Sequence, residues 1–172
     1  LMYPDQFRLN TPINNQPITI NVKGSPPWQP RNYDRKYSGS VMLMDALVRS
    51  LNIPTVNIGM KLGLTKVISV QQAMGWDKVS IPKVPSTLLG SYSISPYDVT
   101  KLYQTIANEG ASIPLNTINS VVDRQGNVVY SREFEPKQVV PREAAFQTLF
   151  AMQQVVDRGT AHSLQPDYAH LH

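Results

Sequence analysis

The chain opens on a proline-broken stretch and then turns apolar at helical spacing. Pro4, Pro12, Pro17, Pro26, Pro27 and Pro30 each bias the preceding residue away from helix, so residues 1–37 are expected to be an extended, loop-rich lead-in. Within it, Ile18-Thr19-Ile20-Asn21-Val22 alternates apolar and polar, the pattern of a short strand. From Ser38 or Ser40, either of which can cap a helix, Val41 to Leu51 leaves few polar positions. A helix apolar on most sides is expected to be buried. Pro54 ends it and opens a second helix to Leu62, stopped by Gly63. A third helix runs from Leu64 to Met74, stopped by Gly75.

Residues 76–95 read as loop. Ser95-Pro96-Tyr97-Asp98 is a helix start with a serine cap, a proline in the first turn and an acid at the third position. Val99, Leu102, Tyr103, Ile106 and Ala107 then recur at helical spacing up to Gly110. Val121-Val122 and Val128-Val129 flank a turn at Asp123 to Asn127, which predicts a hairpin. Pro141 opens a last helix whose apolar face is Ala145, Phe146, Leu149, Phe150, Met152, Val155 and Val156, closed by Gly159. The resulting division is a lead-in (1–37), a helical part (38–112), a hairpin (117–131) and a helix (141–159). This is a helix-rich α+β pattern without the strand–helix alternation of a parallel sheet.

Composition narrows the function classes. At 172 residues the chain fits one domain, and its low charged fraction, 16%, argues against disorder. No apolar run approaches the roughly 18 residues that cross a bilayer, and Leu1 to Asn10 lacks a basic start followed by an apolar stretch. Any export signal or anchor is expected outside this chain. With no cysteine, thiolate chemistry, disulfides and Cys-based zinc sites are excluded. The net charge of +4 is scattered, densest at Arg31, Arg35 and Lys36 with Asp34 among them, so nucleic-acid binding is not expected.

The candidate chemistry centres on Ser50-Leu51-Asn52. If this stretch is extended, Ser50 and Asn52 point the same way and Leu51 points into the core. A hydroxyl that can pass a proton would then stand beside an amide that both donates and accepts, an arrangement suited to acyl transfer. Two bland readings compete. Asn52 could cap the following helix, and Ser50 could bond back to its own. His170 and His172 could share a strand face as a metal pair, but no third ligand accompanies them, and His162 has no local partner. No metal or cofactor is expected.

The neighbours of the tripeptide supply more. Trp28 to Asp34, Tyr37-Ser38-Gly39 and Asp45 to Val56 resemble the approach to the second motif of penicillin-binding transpeptidases. The likeness continues at Leu88 to Ser91, Ser95-Pro96, Gln104 to Gly110, Asp123 to Gly126 and Val155 to Ala161, in the same order over nearly the whole chain. It is nearest to the class A enzymes, which join a glycosyltransferase to this domain. The resemblance implies a penicillin-binding protein or serine β-lactamase-like transpeptidase fold, incomplete in this chain, with residues 1–172 forming the central part of one such domain.

Such enzymes work with Ser-x-x-Lys, Ser-x-Asn and Lys-Thr-Gly or Lys-Ser-Gly. By resemblance, Ser50 would relay a proton and Asn52 would bind the acyl donor's backbone. The substrates implied are peptidoglycan stem peptides, which would acylate the serine of the first motif, and β-lactams would acylate that same serine. The implied setting is the periplasmic face of the inner membrane within an anchored parent, with other cell-wall synthesis proteins as further partners. The chain has no Lys-Thr-Gly or Lys-Ser-Gly. Its one Ser-x-x-Lys, Ser80-Ile81-Pro82-Lys83, lies downstream of Ser50 in a loop-like stretch and is not expected to be the nucleophile. The first motif is expected before Leu1, the third after His172, and apolar surface should be exposed at the edges. A non-catalytic penicillin-binding-like module and a serine β-lactamase are the alternatives.

Overall fold

Alternation of buried and exposed positions makes a strand at Pro12–Asn15 (β1), where Ile13 and Asn15 face inward. It pairs antiparallel with Gly39–Met42 (β2), Ile13 opposite Val41 and Asn15 opposite Gly39. The computed structural model describes residues 1–22 and 24–168. The strand expected at Ile18–Val22 does not form. Ile20 instead makes a single two-bond bridge to Trp28, because no further partner runs beside it.

The first helix is shorter than the apolar run suggests. Residues 39–42 are spent on β2, and only Leu43–Val48 (α1) coil. Its start has no side-chain cap. The free N–H groups of Leu43 and Met44 donate instead to the Thr11 and Leu9 carbonyls, so the neighbouring chain does the work of a cap. Nor is α1 buried all round. Ala46 and Val48 are buried while Leu47 is exposed.

Helix α2 (Asn52–Leu62) begins two residues before Pro54, which sits in its first turn where its missing N–H costs nothing. Ile53, Pro54 and Val56 seat this helix in the core with Ile13 and Val48. Helix α3 (Leu64–Gln71) passes into one π-helical turn at Gln72–Trp76, inside which Gly75 adopts φ +116°, open only to glycine at low cost. The loop that follows contains a 3₁₀ turn at Pro85–Leu89.

Helix α4 (Pro96–Ala107) starts as its sequence predicts. Ser95 Oγ accepts from the Asp98 N–H at 3.1 Å and donates to the Asp98 carboxylate at 2.6 Å. That hydroxyl first, then Lys101, holds the Asp98 carboxyl below its usual range. Strand β3 (Ala111–Ser112) pairs with β6 (Lys137–Gln138), and β4 (Ser120–Val122) pairs with β5 (Val128–Ser131) in the expected hairpin. The Asp123 carboxylate accepts from the Gln125 and Asn127 N–H groups and closes that turn.

Helix α5 (Arg142–Arg158) packs by its small residues, Ala144, Ala145 and Ala151, against α4 and α1. The expected apolar face is therefore rotated. Phe146 is 70% exposed and Phe150 also lies open, because close helix approach selects alanine over phenylalanine. A second core forms from Met74, Ile106, Val140, Ala144 and Ala145. The described residues end with a 3₁₀ turn, His162–Leu164, and a short helix α6, Gln165–Tyr168. The fold is α+β and helix-rich, with three two-stranded sheets among the described residues.

Candidate active site at the junction of two helices

Helix α1 ends in a left-handed turn. The Ser50 N–H donates to the Leu47 carbonyl and the Leu51 N–H to the Ala46 carbonyl, both at 2.9 Å. These are the paired bonds of a Schellman motif, whose left-handed position normally holds glycine. Here it holds Ser50, at φ +53°. A non-glycine residue there costs on the order of 1–3 kcal/mol.

The turn sorts three consecutive side chains. Ser50 is exposed, Leu51 is in the core at 4% exposure, and Asn52 is the first residue of α2. Ser50 and Asn52 line one cleft of about 460 Å³ with Tyr33, Asp34, Arg49 and Thr160. An extended backbone was the expected route to this arrangement. The observed route is a left-handed residue followed directly by a helix start.

The capping reading of Asn52 does not hold. Leu51 occupies the cap position, so α2 has no side-chain cap of its own. The Asn52 amide instead donates to the Arg31 carbonyl at 2.7 Å, across 21 residues of chain. One N–H and the amide oxygen of Asn52 are left uncommitted among the described residues. The Ser50 hydroxyl makes no hydrogen bond among the described residues, so the back-bonding reading is not realised either.

Two segments brace the cleft. On one side, the buried Asn32 side chain accepts from the Ile53 N–H at 3.2 Å. On the other, the Thr160 N–H donates to the Val48 carbonyl at 3.2 Å. Gly159 makes that approach possible, since a Cβ there would collide with the Val48 carbonyl oxygen. Arg158 reaches Asp45 of α1 at 3.1 Å, a half-exposed ion pair. Sequence reasoning had Asn32 and Gly159-Thr160 only as parts of a resemblance. A buried asparagine leaves no periodic signal, and Gly159 reads simply as a helix stop.

The other candidates stand apart. Ser80 and Lys83 are exposed in irregular backbone and do not line the cleft. His162 is exposed, with Nδ1 2.8 Å from the Asp157 carbonyl oxygen. The pair His170 and His172 lies outside the described residues. Among the described residues no three metal-binding side chains cluster, and no helix is long and apolar enough to cross a membrane. A larger groove of about 660 Å³ runs beside Ile106, Phe146 and Leu149, but its lining carries no hydroxyl. The smaller cleft is the one lined by the Ser50-Leu51-Asn52 tripeptide.

Comparison with known proteins identifies the family. Residues 5–171 match the penicillin binding protein transpeptidase domain. Penicillin-binding protein 1B of Haemophilus influenzae is 76% identical over 172 residues, all of this chain and 22% of that protein. Penicillin-binding protein 1B of Escherichia coli is 43% identical over 174 residues, again covering all of this chain and 21% of that protein. The chain thus spans about a fifth of the length of these relatives. Among solved structures, penicillin-binding protein 1A from Haemophilus influenzae superposes with a TM-score of 0.81 at 20% identity, over 90% of this chain and 28% of that one. Penicillin-binding protein A from M. tuberculosis, a ceftriaxone acyl-enzyme complex, superposes with a TM-score of 0.75 at 20% identity, over 91% of this chain and 40% of that one. At that identity the likeness is one of fold.

Proposed function

Because the chain belongs to the penicillin-binding protein transpeptidase family, we propose that it supplies the middle motif of a serine D,D-transpeptidase that cross-links peptidoglycan stem peptides. The parent of this reading is a class A protein, with a glycosyltransferase joined to the transpeptidase and a membrane anchor elsewhere in it. Its working site faces the periplasm, and β-lactams acylate its nucleophile.

The reaction makes two demands on this part of the site. In the first half, a serine oxygen bonds to the carbonyl carbon of a D-Ala, and the departing D-Ala nitrogen must receive a proton. In the second, the amine of another stem peptide attacks the acyl-serine and must lose one. The Ser50 hydroxyl both donates and accepts, so it can hand the proton across in either direction. The Asn52 amide holds the donor peptide by its backbone. Its bond to the Arg31 carbonyl pins the amide plane, which removes rotational freedom that substrate binding would otherwise have to remove.

The single observation that carries the reading is the left-handed Ser50, which sets a free hydroxyl beside Asn52 in one cleft at a cost in backbone energy. The test is covalent labelling of the full-length parent by a fluorescent penicillin. The wild type is expected to label, and Asn52→Ala to label about tenfold more slowly while melting normally. A folded parent that takes no label overturns the enzyme reading. An Asn52→Ala variant that melts early yet labels at the wild-type rate assigns that residue to the fold.

A further inference from the structure

Two asparagines are buried side by side beneath the cleft, Asn32 at 2% exposure and Asn15 at 1%. Neither lies in the Ser-x-Asn motif. Burying an amide is unfavourable unless its hydrogen bonds are made, and here they are. Asn32 Nδ2 donates to Asn15 Oδ1 at 2.8 Å and to the Lys36 carbonyl at 2.9 Å. Asn32 Oδ1 accepts from the Ile53 N–H at 3.2 Å. Asn15 Nδ2 donates onward to Ser38 Oγ at 3.0 Å. One side chain thereby ties together strand β1, the 31–38 loop and the first turn of α2.

The placement matters more than the number of bonds. Helix α2 has no side-chain cap of its own, and Asn32 serves one of its free first-turn N–H groups from a distance. The residue before Asn32 presents the carbonyl that holds the Asn52 amide. The two residues after it, Tyr33 and Asp34, line the cleft, with Tyr33 fully exposed. So Asn32 holds the backbone beside Asn52 and the loop that holds the Asn52 side chain. A buried polar network in which every side-chain nitrogen and oxygen of both amides has a partner selects one arrangement where an apolar core would tolerate several.

We propose that Asn32, backed by Asn15, is a positioning residue of the transpeptidase site: it sets the Asn52 amide and the Tyr33–Asp34 wall of the cleft without touching substrate. The inference rests on the transpeptidase reading. It differs from a stabilising role in what it predicts for kinetics. Loss of Asn32 lets the Arg31 carbonyl drift, and the Asn52 amide then meets the acyl donor in several orientations. Binding and acylation both suffer in protein that is still folded.

The experiment follows acylation of the full-length parent by a fluorescent penicillin over a range of concentrations, well below the melting temperature. It separates the half-saturating concentration from the limiting rate. Asn32→Ala is expected to lower their quotient about tenfold or more, with the half-saturating concentration rising. Thr105→Val is the control. Thr105 is equally buried, with its hydroxyl against the Met74 and Lys101 carbonyls in the other core. It is expected to melt earlier but acylate within about twofold of wild type.

A folded Asn32→Ala variant that acylates like wild type overturns the proposal, and so does rate loss in both variants in step with melting temperature. If Asn32→Ala does not fold, Asn15→Ala decides. It removes one partner of Asn32 and leaves the Ile53 bond, and is expected to lose about threefold. A folded, fully active Asn15→Ala, or failure of both variants to fold, makes the pair purely structural. Absence of labelling in the wild type would sink the enzyme reading itself, an outcome distinct from all of these.

Discussion

Helices α2 and α4 are of similar length but begin in opposite ways. Helix α4 carries its own start in four consecutive residues, Ser95 to Asp98, and satisfies its first turn locally. Helix α2 carries none of this. Its cap residue is Leu51, its first turn has no acid, and its hydrogen bond comes from Asn32, far away in sequence. The difference teaches where function can be placed. A helix start that caps itself commits its polar side chains to its own backbone. A start served from elsewhere leaves Ser50 and Asn52 free to face a cleft.

The contrast can be strained from three directions. The largest effect is expected at Gly159, which braces the α1–α2 corner from α5. Gly159→Ala drives a methyl into the Val48 carbonyl oxygen and should cost about 1–3 kcal/mol, read as a lower melting temperature of the parent. If the corner is held by tertiary contacts, acylation by penicillin should fall as well. A variant with unchanged stability and labelling would show that α5 is dispensable to the cleft.

Next comes Ser95→Ala, which removes the cap of α4 and should cost about 1 kcal/mol. Labelling should be untouched, since α4 caps itself and does not line the cleft. This effect should depend on pH. The Asp98 carboxyl is held below its usual value chiefly by the Ser95 hydroxyl. A depressed folded value means that the stabilisation is present above the unfolded value and is lost as pH falls through the folded one. The gap between wild type and variant should therefore narrow below about pH 4. A gap that is constant from neutral to acid pH would remove the carboxylate from the cap.

The smallest effect is expected from Asp45→Ala. It breaks a half-exposed pair with Arg158, and such pairs contribute about 0–1 kcal/mol. The predicted change in melting temperature is within a degree or two, and it should shrink further in high salt. A loss as large as that of Gly159→Ala would mean that charge, and not close packing, holds α5 against α1.

Much of the fold could be read before it was seen, for a physical reason. The α4 start, the hairpin turn at Asp123 and the stop at Gly159 depend on residues within a few positions of one another. Local chemistry leaves a local trace. Strand β2 was misread as helix because Gly39 to Met42 pairs with a segment more than twenty residues earlier. The exposed side of α5 was misread because its neighbours admit only alanine. At the site, Leu51 pointing inward and Ser50 and Asn52 sharing a cleft were legible from their order. The left-handed turn that achieves it was not, since serine gives no hint of that conformation. The Asn15–Asn32 pair was equally silent, being polar residues whose burial is offset by bonds to each other and to Ser38, Lys36 and Ile53, most of them distant in sequence.

The left-handed conformation of Ser50 also bears on how this protein can change over generations. Glycine would relieve the backbone at that position. Selection acting on thermal robustness alone would drift toward it, while selection acting on a proton-passing hydroxyl would hold the serine. On the role proposed for Ser50, the position is one at which thermal robustness and chemistry pull apart.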